Sequence, residues 1–339
     1  MQEVSTIGVD IAKTVFQVHG VDRSGAVVVR RAVRRSQMLA FFSKLARCLI
    51  GMEACGTAHY WGRELRKLGH EVRLIPPAYA KAYVRRNKND PADAEAICEA
   101  VSRPSMRFVT IKTEDQQAAA GLHRVREMLM KQHTMLTNQI RGLMAEFGVV
   151  AAKGRLGLKD LTAILDDPDD GRIPGLLREG LAKIVETLRF IDGRLEAIER
   201  QLVQAGRENA NYRHLITAPG YGPVLSSAMA AMVVDPFAFR RGSDFAASLG
   251  LVPRQEGTGG KTWLGPISKR GNGYLRRLLV NGANAVLKSR RAQKDPWLAR
   301  LLATKPRKVA AVALANKMAR VGWALMTRQE DYRGAHAAA

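Results

Sequence analysis

In the first third of the chain, the pattern of hydrophobic and polar positions predicts strands alternating with helices. Three apolar, β-branched runs separated by short turns predict three consecutive strands, at Ser5–Ala12, Val15–Val21 and Ala26–Val33. An amphipathic run that begins with Ser36 as its cap predicts the first helix. Alternating strands and helices are then predicted at Cys48–Cys55, Ala58–Leu68, His70–Ile75, Tyr79–Arg86 and Pro91–Val101. The order β-β-β-α-β-α-β-α indicates a mixed α/β fold and does not fit an all-parallel doubly wound sheet.

The middle of the chain loses β-branched runs and gains helix-forming residues. Apolar residues recur every three or four positions in two stretches, at Leu122, Val125 and Leu129 and then at Leu188, Ile191, Leu195, Ile198 and Leu202. This spacing predicts two long amphipathic helices that pair as a coiled-coil arm. An acidic, turn-rich loop at Leu165–Gly175 separates them and is interpreted as a solvated hinge.

The last third is again helical and contains two glycine-rich loops. Its first loop, in LITAPGYGPVL, suits either a helix-hairpin-helix that holds a DNA phosphate or a buried helical hairpin. The changes of pattern predict an α/β domain over residues 1–112, a helical coiled-coil arm over 113–210 and a mainly helical domain over 211–339.

The charge of the chain points to a polyanionic partner. The 339 residues include 54 Lys and Arg against 31 Asp and Glu, a formal charge of +23. Between Arg254 and Lys308 there are 14 basic and two acidic residues. Such a surplus is typical of nucleic-acid-binding proteins, although a solvated basic surface is the simpler alternative. The candidate phosphate contacts are Arg254, Lys261, Lys269, Arg270, Arg276 and Arg277.

Other classes of protein are excluded by composition. No apolar run reaches the length of about 18 residues that a membrane span needs. Three cysteines without a CxxC pair exclude a disulfide framework or a cysteine-rich zinc site. The amino terminus, MQEVSTIGVDIAK, lacks the features of a signal peptide, so we expect a cytoplasmic protein.

Four carboxylates stand out because of where the pattern places them. Asp10 and Glu53 each lie in an apolar predicted strand, where burying a carboxylate is unfavourable without a positive partner. Asp90 and Asp93 open a predicted helix, with Asp90 as its N-cap, although Asp-Pro-x-Asp is also an ordinary helix start. Carboxylates gathered from two strands and a helix suit a pair of Mg²⁺ or Mn²⁺ ions that act on a phosphodiester.

The element order and these motifs resemble a known family. Asp in the first strand, Glu in the fourth and an Asp-x-x-Asp pair opening a later helix are similar to the RNase H-like fold of Holliday-junction resolvases. The segments IGVDIAKTVFQV, GMEACGTAHYW and RNKNDPADAEAI, with the stretch from LITAPGYG to LVNGA, resemble DEDD transposases of bacterial insertion sequences. Within these, the chain is similar to the one-ten family and its eleven-eleven subgroup, which is related to Piv-type DNA invertases.

The resemblance implies a metal-dependent DNA recombinase with a RuvC-like domain and a carboxy-terminal transposase domain. Its acidic tetrad would be Asp10, Glu53, Asp90 and Asp93, which bind Mg²⁺ or Mn²⁺. The expected partners are double-stranded DNA at the element ends and the target, a structured guide RNA from the element, and other copies of the chain. Members of this family form dimers that assemble into tetramers, and no membrane partner is expected.

One position departs from the family pattern. The family's carboxy-terminal domain carries a serine that becomes linked to DNA, and GLVPRQEGTGGK places Thr258 at that position. A threonine hydroxyl can also act as a nucleophile. The chain is therefore a tolerated variant with Thr258 as nucleophile, an impaired copy, or a variant that uses Ser268.

We therefore predict a transposase that cleaves and exchanges DNA strands. A site-specific DNA invertase and a junction-cleaving nuclease are the alternatives within the same class. A catalytically silent nucleic-acid-binding scaffold is the alternative from a different class.

Overall fold

The structure is a computed structural model that describes residues 3–80, 83, 90–258, 261–289 and 295–334, without the side chain of Asp90. The chain divides into two compact units, Met1–Asp115 and Gln116–Ala339. The predicted boundary at residue 112 lies three residues before the end of the first unit, and the predicted boundary at residue 210 lies inside the second.

The first unit is built on one five-stranded sheet with the order β3-β2-β1-β4-β5. Strand β1 pairs with β2 in antiparallel and with β4 in parallel orientation, and β4 and β5 are parallel. The strands are β1 Thr6–Asp10, β2 Val15–Val21, β3 Val27–Arg34, β4 Leu49–Glu53 and β5 Glu71–Ile75. The helices are α1 Met38–Phe42, α2 Ala58–Lys67, α3 Pro77–Ala80 and α4 Asp90–Val101. This mixed α/β arrangement fits the predicted RNase H-like domain.

Two helices differ from their predicted extent. Ser36 lies inside a short 3₁₀ turn, Arg35–Gln37, and does not cap α1. Met38 and Phe42 are both buried, so packing against the core holds this single turn of helix in place of a cap. The helix predicted at Tyr79–Arg86 is observed at Pro77–Ala80, and most of the residues after it lie outside the described part of the chain.

Apolar side chains cover both faces of this sheet. One face packs a large cluster that includes Ile7, Val9, Phe16, Met52 and Trp61. The other face is covered by α4, and there a smaller cluster joins residues of β5, α3 and α4, namely Ile75, Ala80, Ile97, Ala100 and Val101. Helix α4 is therefore a supporting layer of the sheet.

The second unit begins with three helices, α5 Glu114–Ala145, α6 Arg155–Asp166 and α7 Gly175–Arg207. Helices α5 and α7 run antiparallel, because Arg126 pairs with Glu199 at 2.6 Å and His133 lies 3.3 Å from Asp192. The apolar residues that the sequence pattern predicted along α7 are all buried. Val125, one of those predicted along α5, is 43% exposed. The sequence pattern did not predict α6. Its residues Leu161 and Leu165 pack in one apolar cluster with residues of α5 and α7.

The rest of the second unit is a helical core from which a two-stranded β-ribbon extends. The helices are α8 Ala210–Leu215, α9 Pro223–Met232, α10 Gly242–Ser248, α11 Gly273–Lys288, α12 Pro296–Thr304 and α13 Arg307–Arg328. The ribbon consists of β6 Pro253–Thr258 and β7 Lys261–Ile267. Among the described residues, only α13 is long and apolar enough to cross a membrane, and half of that window is buried inside the unit.

The glycine-rich turn between α8 and α9 is part of this core. The Tyr221 hydroxyl is buried and donates a hydrogen bond to the carbonyl oxygen of Met318 at 2.9 Å. A Cβ atom at Gly322 would overlap that hydroxyl, and one at Gly282 would overlap the carbonyl oxygen of Gly220. These close approaches favour the buried helical hairpin over a turn that holds a phosphate.

Candidate functional site

Two glycines show which face of the sheet α4 covers. A Cβ atom at Gly8 of β1 would overlap the carbonyl oxygen of Ala94, so strand and helix backbones are in direct contact there. A Cβ atom at Gly51 of β4 would lie 2.7 Å from the Cβ atom of Val101. Both glycines therefore face α4, and only a residue without a side chain allows this approach.

Asp10 and Glu53 lie on that same face, at the carboxyl edge of the sheet. Side chains alternate along a strand, and each carboxylate follows the glycine of its own strand by two residues. The parallel register places Val9 opposite Met52, so Asp10 and Glu53 come next on neighbouring strands. Neighbouring strands are about 4.8 Å apart.

The thiol of Cys55 supports this placement. Burial raises the pKa of Cys55, and the negative charges of Glu53 and then Asp10 raise it further. Both carboxylates thus act electrostatically on the same half-buried position just after β4. Asp10 and Glu53 therefore form the centre of what we call the acidic edge.

Asp93 lies in the first turn of α4, the helix that covers this face of the sheet. It precedes Ile97 by four residues and Ala100 by seven, so the three residues share one side of the helix. Ile97 and Ala100 pack in a cluster with Ile75, the last residue of β5. Asp93 is half-buried, and its Oδ1 atom is out of contact with solvent.

The fourth predicted carboxylate is only partly described. Helix α4 begins at Asp90, but the side chain of Asp90 lies outside the described part of the chain. Within the described residues, no group of three or more His, Cys, Asp or Glu side chains is arranged to hold a metal ion. The donor chemistry of the acidic edge nevertheless fits Mg²⁺ or Mn²⁺, because both ions prefer carboxylate oxygens.

The two candidate nucleophiles lie at opposite ends of the ribbon. Thr258 is exposed near the tip, opposite Lys261, and Ser268 follows the residue that pairs with Pro253 at the base. Five strand residues separate these ends, a distance of roughly 17 Å. The Ser268 hydroxyl accepts a hydrogen bond from the backbone N–H of Arg270 at 3.5 Å. The two hydroxyls therefore cannot occupy one reaction centre interchangeably.

The predicted phosphate contacts separate into two groups. Arg254, Lys261, Lys269 and Arg270 are exposed, and no ion pair is found for them within the described chain. Arg276 instead donates through Nη1 to the carbonyl oxygens of Leu249 and Arg270, at 2.9 and 2.8 Å.

Arg277 is also engaged within the unit. It pairs with Glu127 at 2.6 Å and stacks over the ring of Tyr274. Both Arg276 and Arg277 therefore have structural partners in addition to any role with nucleic acid.

Two arginines of β3, which the sequence pattern did not identify as candidates, lie on the same face of the sheet as Asp10. Asp10 is opposite Gln17, and Gln17 is opposite Ala32, so these three side chains share one face of the sheet. Arg30 and Arg34 lie two residues before and after Ala32 and are therefore on the same face. Arg30 lies 3.8 Å from Glu95, and Arg34 has no ion pair among the described residues. In the sequence they belong to the run VVVRRAVRR, which places four arginines among apolar residues.

The sheet and its acidic edge fit an RNase H-like enzyme that acts on nucleic acid. A family model described as a transposase matches residues 7–148, and a model of the transposase IS116/IS110/IS902 family matches residues 212–298.

Relatives match almost the whole chain. A probable family 20 transposase of Pseudomonas aeruginosa is 48% identical, with 97% of this chain and 99% of the relative covered. The transposase of insertion sequence element IS1111A from Coxiella burnetii is 41% identical, with coverage of 98% and 92%. That of element IS1328 from Yersinia enterocolitica is 38% identical, with coverage of 97% and 98%. The chain belongs to the IS116/IS110/IS902 family of insertion-sequence transposases.

Proposed function

We propose that this transposase cleaves DNA strands at its acidic edge with the help of Mg²⁺ or Mn²⁺. The proposal is supported by Asp10 and Glu53, which end neighbouring parallel strands on the face of the sheet that α4 covers, and by Asp93 in the first turn of α4. Together with Asp90, these carboxylates would be the metal ligands. When bound, the metal would supply charge neutralisation at the phosphate that is attacked.

The chain's own residues orient this chemistry. Asp10 and Glu53 sit on adjacent parallel strands, so their spacing is set by the sheet before any substrate binds. The contact of Gly8 with the α4 backbone sets the position of Asp93 relative to them. A preorganised set of ligands needs little rearrangement on binding, which favours catalysis.

We further propose Thr258 as the nucleophile. In this step the Thr258 oxygen forms a bond to phosphorus and gives up its proton. The bond from phosphorus to a deoxyribose oxygen breaks, and that oxygen leaves as a hydroxyl after taking up a proton. Thr258 is exposed near the tip of the ribbon, whereas Ser268 is half-buried and hydrogen-bonded to its own turn, which favours Thr258.

The partners are also part of the proposal. The charge of +23 supports binding of double-stranded DNA at the element ends and the target. The family resemblance supports a structured guide RNA and a dimer that assembles into a tetramer, in the bacterial cytoplasm.

Substitutions at the acidic edge test the metal chemistry. Asp10→Asn and Asp93→Asn should abolish strand cleavage and exchange while folding and DNA binding remain. The matched control is Glu71→Gln, which changes an exposed acid at the opposite edge of the same sheet. Activity is measured with Mg²⁺, with Mn²⁺ and with chelator. Wild-type recombination in either Asp variant, or full activity in chelator, would show that the acidic edge is not the reaction centre.

The nucleophile is tested separately, by trapping a covalent protein–DNA adduct. Thr258→Ser should retain or raise adduct formation, and Thr258→Ala should eliminate it. Thr262→Ala is the control. Thr262 follows Lys261, the partner of Thr258, in the same strand, so its side chain lies on the opposite face of the ribbon. If Ser268→Ala loses the adduct while Thr258→Ala keeps it, Ser268 is the nucleophile. An adduct-free wild type with active cleavage would indicate hydrolysis by the acidic edge alone.

A further inference from the structure

The ribbon formed by β6 and β7 carries large apolar side chains in solvent. Every described residue of the ribbon is exposed except Ile267, which is half-buried. Trp263 is 58% exposed and Leu264 is 67% exposed. A two-stranded ribbon is marginally stable by itself in water. A partner that covers it would therefore stabilise both the ribbon and the exposed indole.

The register of the ribbon separates two faces with different chemistry. Thr258 is opposite Lys261, and Glu256 is opposite Trp263, so these four side chains share one face. Gly257, Thr262, Gln255 and Leu264 belong to the other face. Thr258 and Trp263 are diagonal neighbours on their face, with a separation of about 7–8 Å.

We infer that the Trp263 face docks on DNA and that the indole stacks on a base next to the attacked phosphate. This inference rests on the proposed role of Thr258 as nucleophile. The distance between the indole and the reacting hydroxyl is comparable to the distance between a base and the phosphate of its neighbouring nucleotide. Exposed aromatic side chains bind bases by stacking, and apolar side chains of DNA-binding proteins insert between base steps.

The charges on this face divide the contacts between phosphate and base. Lys261 lies at the tip beside Thr258, where a cation attracts a phosphate. Glu256 lies directly opposite Trp263, and its carboxylate repels phosphate but accepts hydrogen bonds from base amino groups. Arg254 near the base and Lys269 and Arg270 just beyond it add exposed positive charge. DNA therefore fits this face better than a neutral or basic protein surface.

The proposed contact of the indole is with a base and not with the DNA backbone, so it can be tested directly. The full-length Thr258→Ala protein is used, so that binding is measured without chemistry. The probes are a 30-base-pair duplex and the same duplex with a three-base central bubble that contains 2-aminopurine. We expect tighter binding to the bubble and quenching of the 2-aminopurine fluorescence when the indole stacks on it.

Variants at Trp263 identify the group responsible. Adding Trp263→Ala should weaken binding to the bubble about ten-fold or more and remove the quenching. The salt dependence should stay unchanged, because the same phosphates remain bound. Trp263→Phe should keep most of the affinity. The matched control is Phe237→Ala, which removes an aromatic side chain that is 71% exposed and outside the ribbon.

Two outcomes would overturn the inference. If the Trp263→Ala protein binds the bubble as tightly as the protein that keeps Trp263, with quenching intact, the indole does not stack on a base. If the Trp263→Ala protein sediments as smaller assemblies while its DNA binding is intact, the ribbon contacts a second copy of the chain and not DNA. If stacking is observed but neither the wild type nor Thr258→Ser gives an adduct, the contact of the indole with a base stands, and its place next to the attacked phosphate fails together with the nucleophile assignment.

Discussion

The acidic edge and the ribbon supply the two halves of the proposed chemistry, and they are built in opposite ways. The acidic edge lies on a five-stranded sheet with an apolar cluster on one face and α4 in backbone contact on the other. The ribbon has two strands and almost no buried residue. The carboxylates of Asp10 and Glu53 thus lie on a packed sheet, whereas the hydroxyl of Thr258 and the indole of Trp263 lie on an exposed element.

The largest effect should follow from loosening the acidic edge at Gly8. Gly8→Ala places a methyl group against the carbonyl oxygen of Ala94 and the backbone of Cys98. Backbone cannot rotate out of the way as a side chain can, so α4 must shift. We expect a loss of about 3 kcal/mol or more of unfolding free energy and complete loss of cleavage. Urea unfolding and a cleavage assay measure the two.

The matched control for this change is Gly56→Ala in the same unit. A Cβ atom at Gly56 meets nothing within 4 Å, and its φ is not positive. This variant should be as stable as the wild type or slightly more stable. A Gly8→Ala protein with normal stability and activity would show that the acidic edge is not held by close contact with α4.

The acidic edge was accessible from the sequence because its residues contradict their surroundings. Asp10 and Glu53 interrupt apolar strands, and the observed strands end at these residues. What the sequence pattern could not give is the close approach of α4 at Gly8. That contact joins residues more than 80 positions apart, and a glycine inside a predicted strand does not show which part of the chain approaches it.

The helical region was predicted less well, for a physical reason. The predicted apolar residues of α7 are all buried, and the first of them, Leu188, packs in a cluster with residues of α5 and α6. Helix α5 also buries a polar side chain, His123, whose ring nitrogens lie within hydrogen-bonding distance of the hydroxyl groups of Tyr274 and Ser227. Periodicity of apolar residues does not detect a helix face that is held by buried hydrogen bonds.

His123 makes the stability of the second unit depend on pH. Its ring nitrogens lie 3.0 Å from the Tyr274 hydroxyl, in the first turn of α11, and 3.1 Å from the Ser227 hydroxyl. Burial, together with the smaller effect of the positive charge of Arg126, lowers the pKa of His123 from 6.5 to about 4. Below pH 6.5 the unfolded chain therefore binds a proton that the folded chain does not.

The sign of the effect follows from this difference. The contribution of His123 is fully present above pH 6.5 and is lost as the pH falls towards 4, by about 3 kcal/mol in all. Urea unfolding between pH 7.5 and 4 measures it, with His123→Gln as the variant that lacks this component. An identical pH dependence in both proteins would show that His123 is not the group that titrates.

The smallest effect concerns exposed charge at the base of the ribbon. Lys269→Gln with Arg270→Gln should weaken binding to unrelated DNA sequences. Raising the salt concentration should then weaken binding less steeply, by about 0.7–0.9 in the logarithmic slope for each phosphate that is no longer bound. Arg276→Gln is the matched control, because its guanidinium group bonds to two backbone carbonyls of the unit. That variant should keep the slope and lose about 1–3 kcal/mol of unfolding free energy instead. If the slope falls with Arg276→Gln and not with the double variant, the phosphate contacts lie on α11, and the turn after the ribbon does not bind DNA.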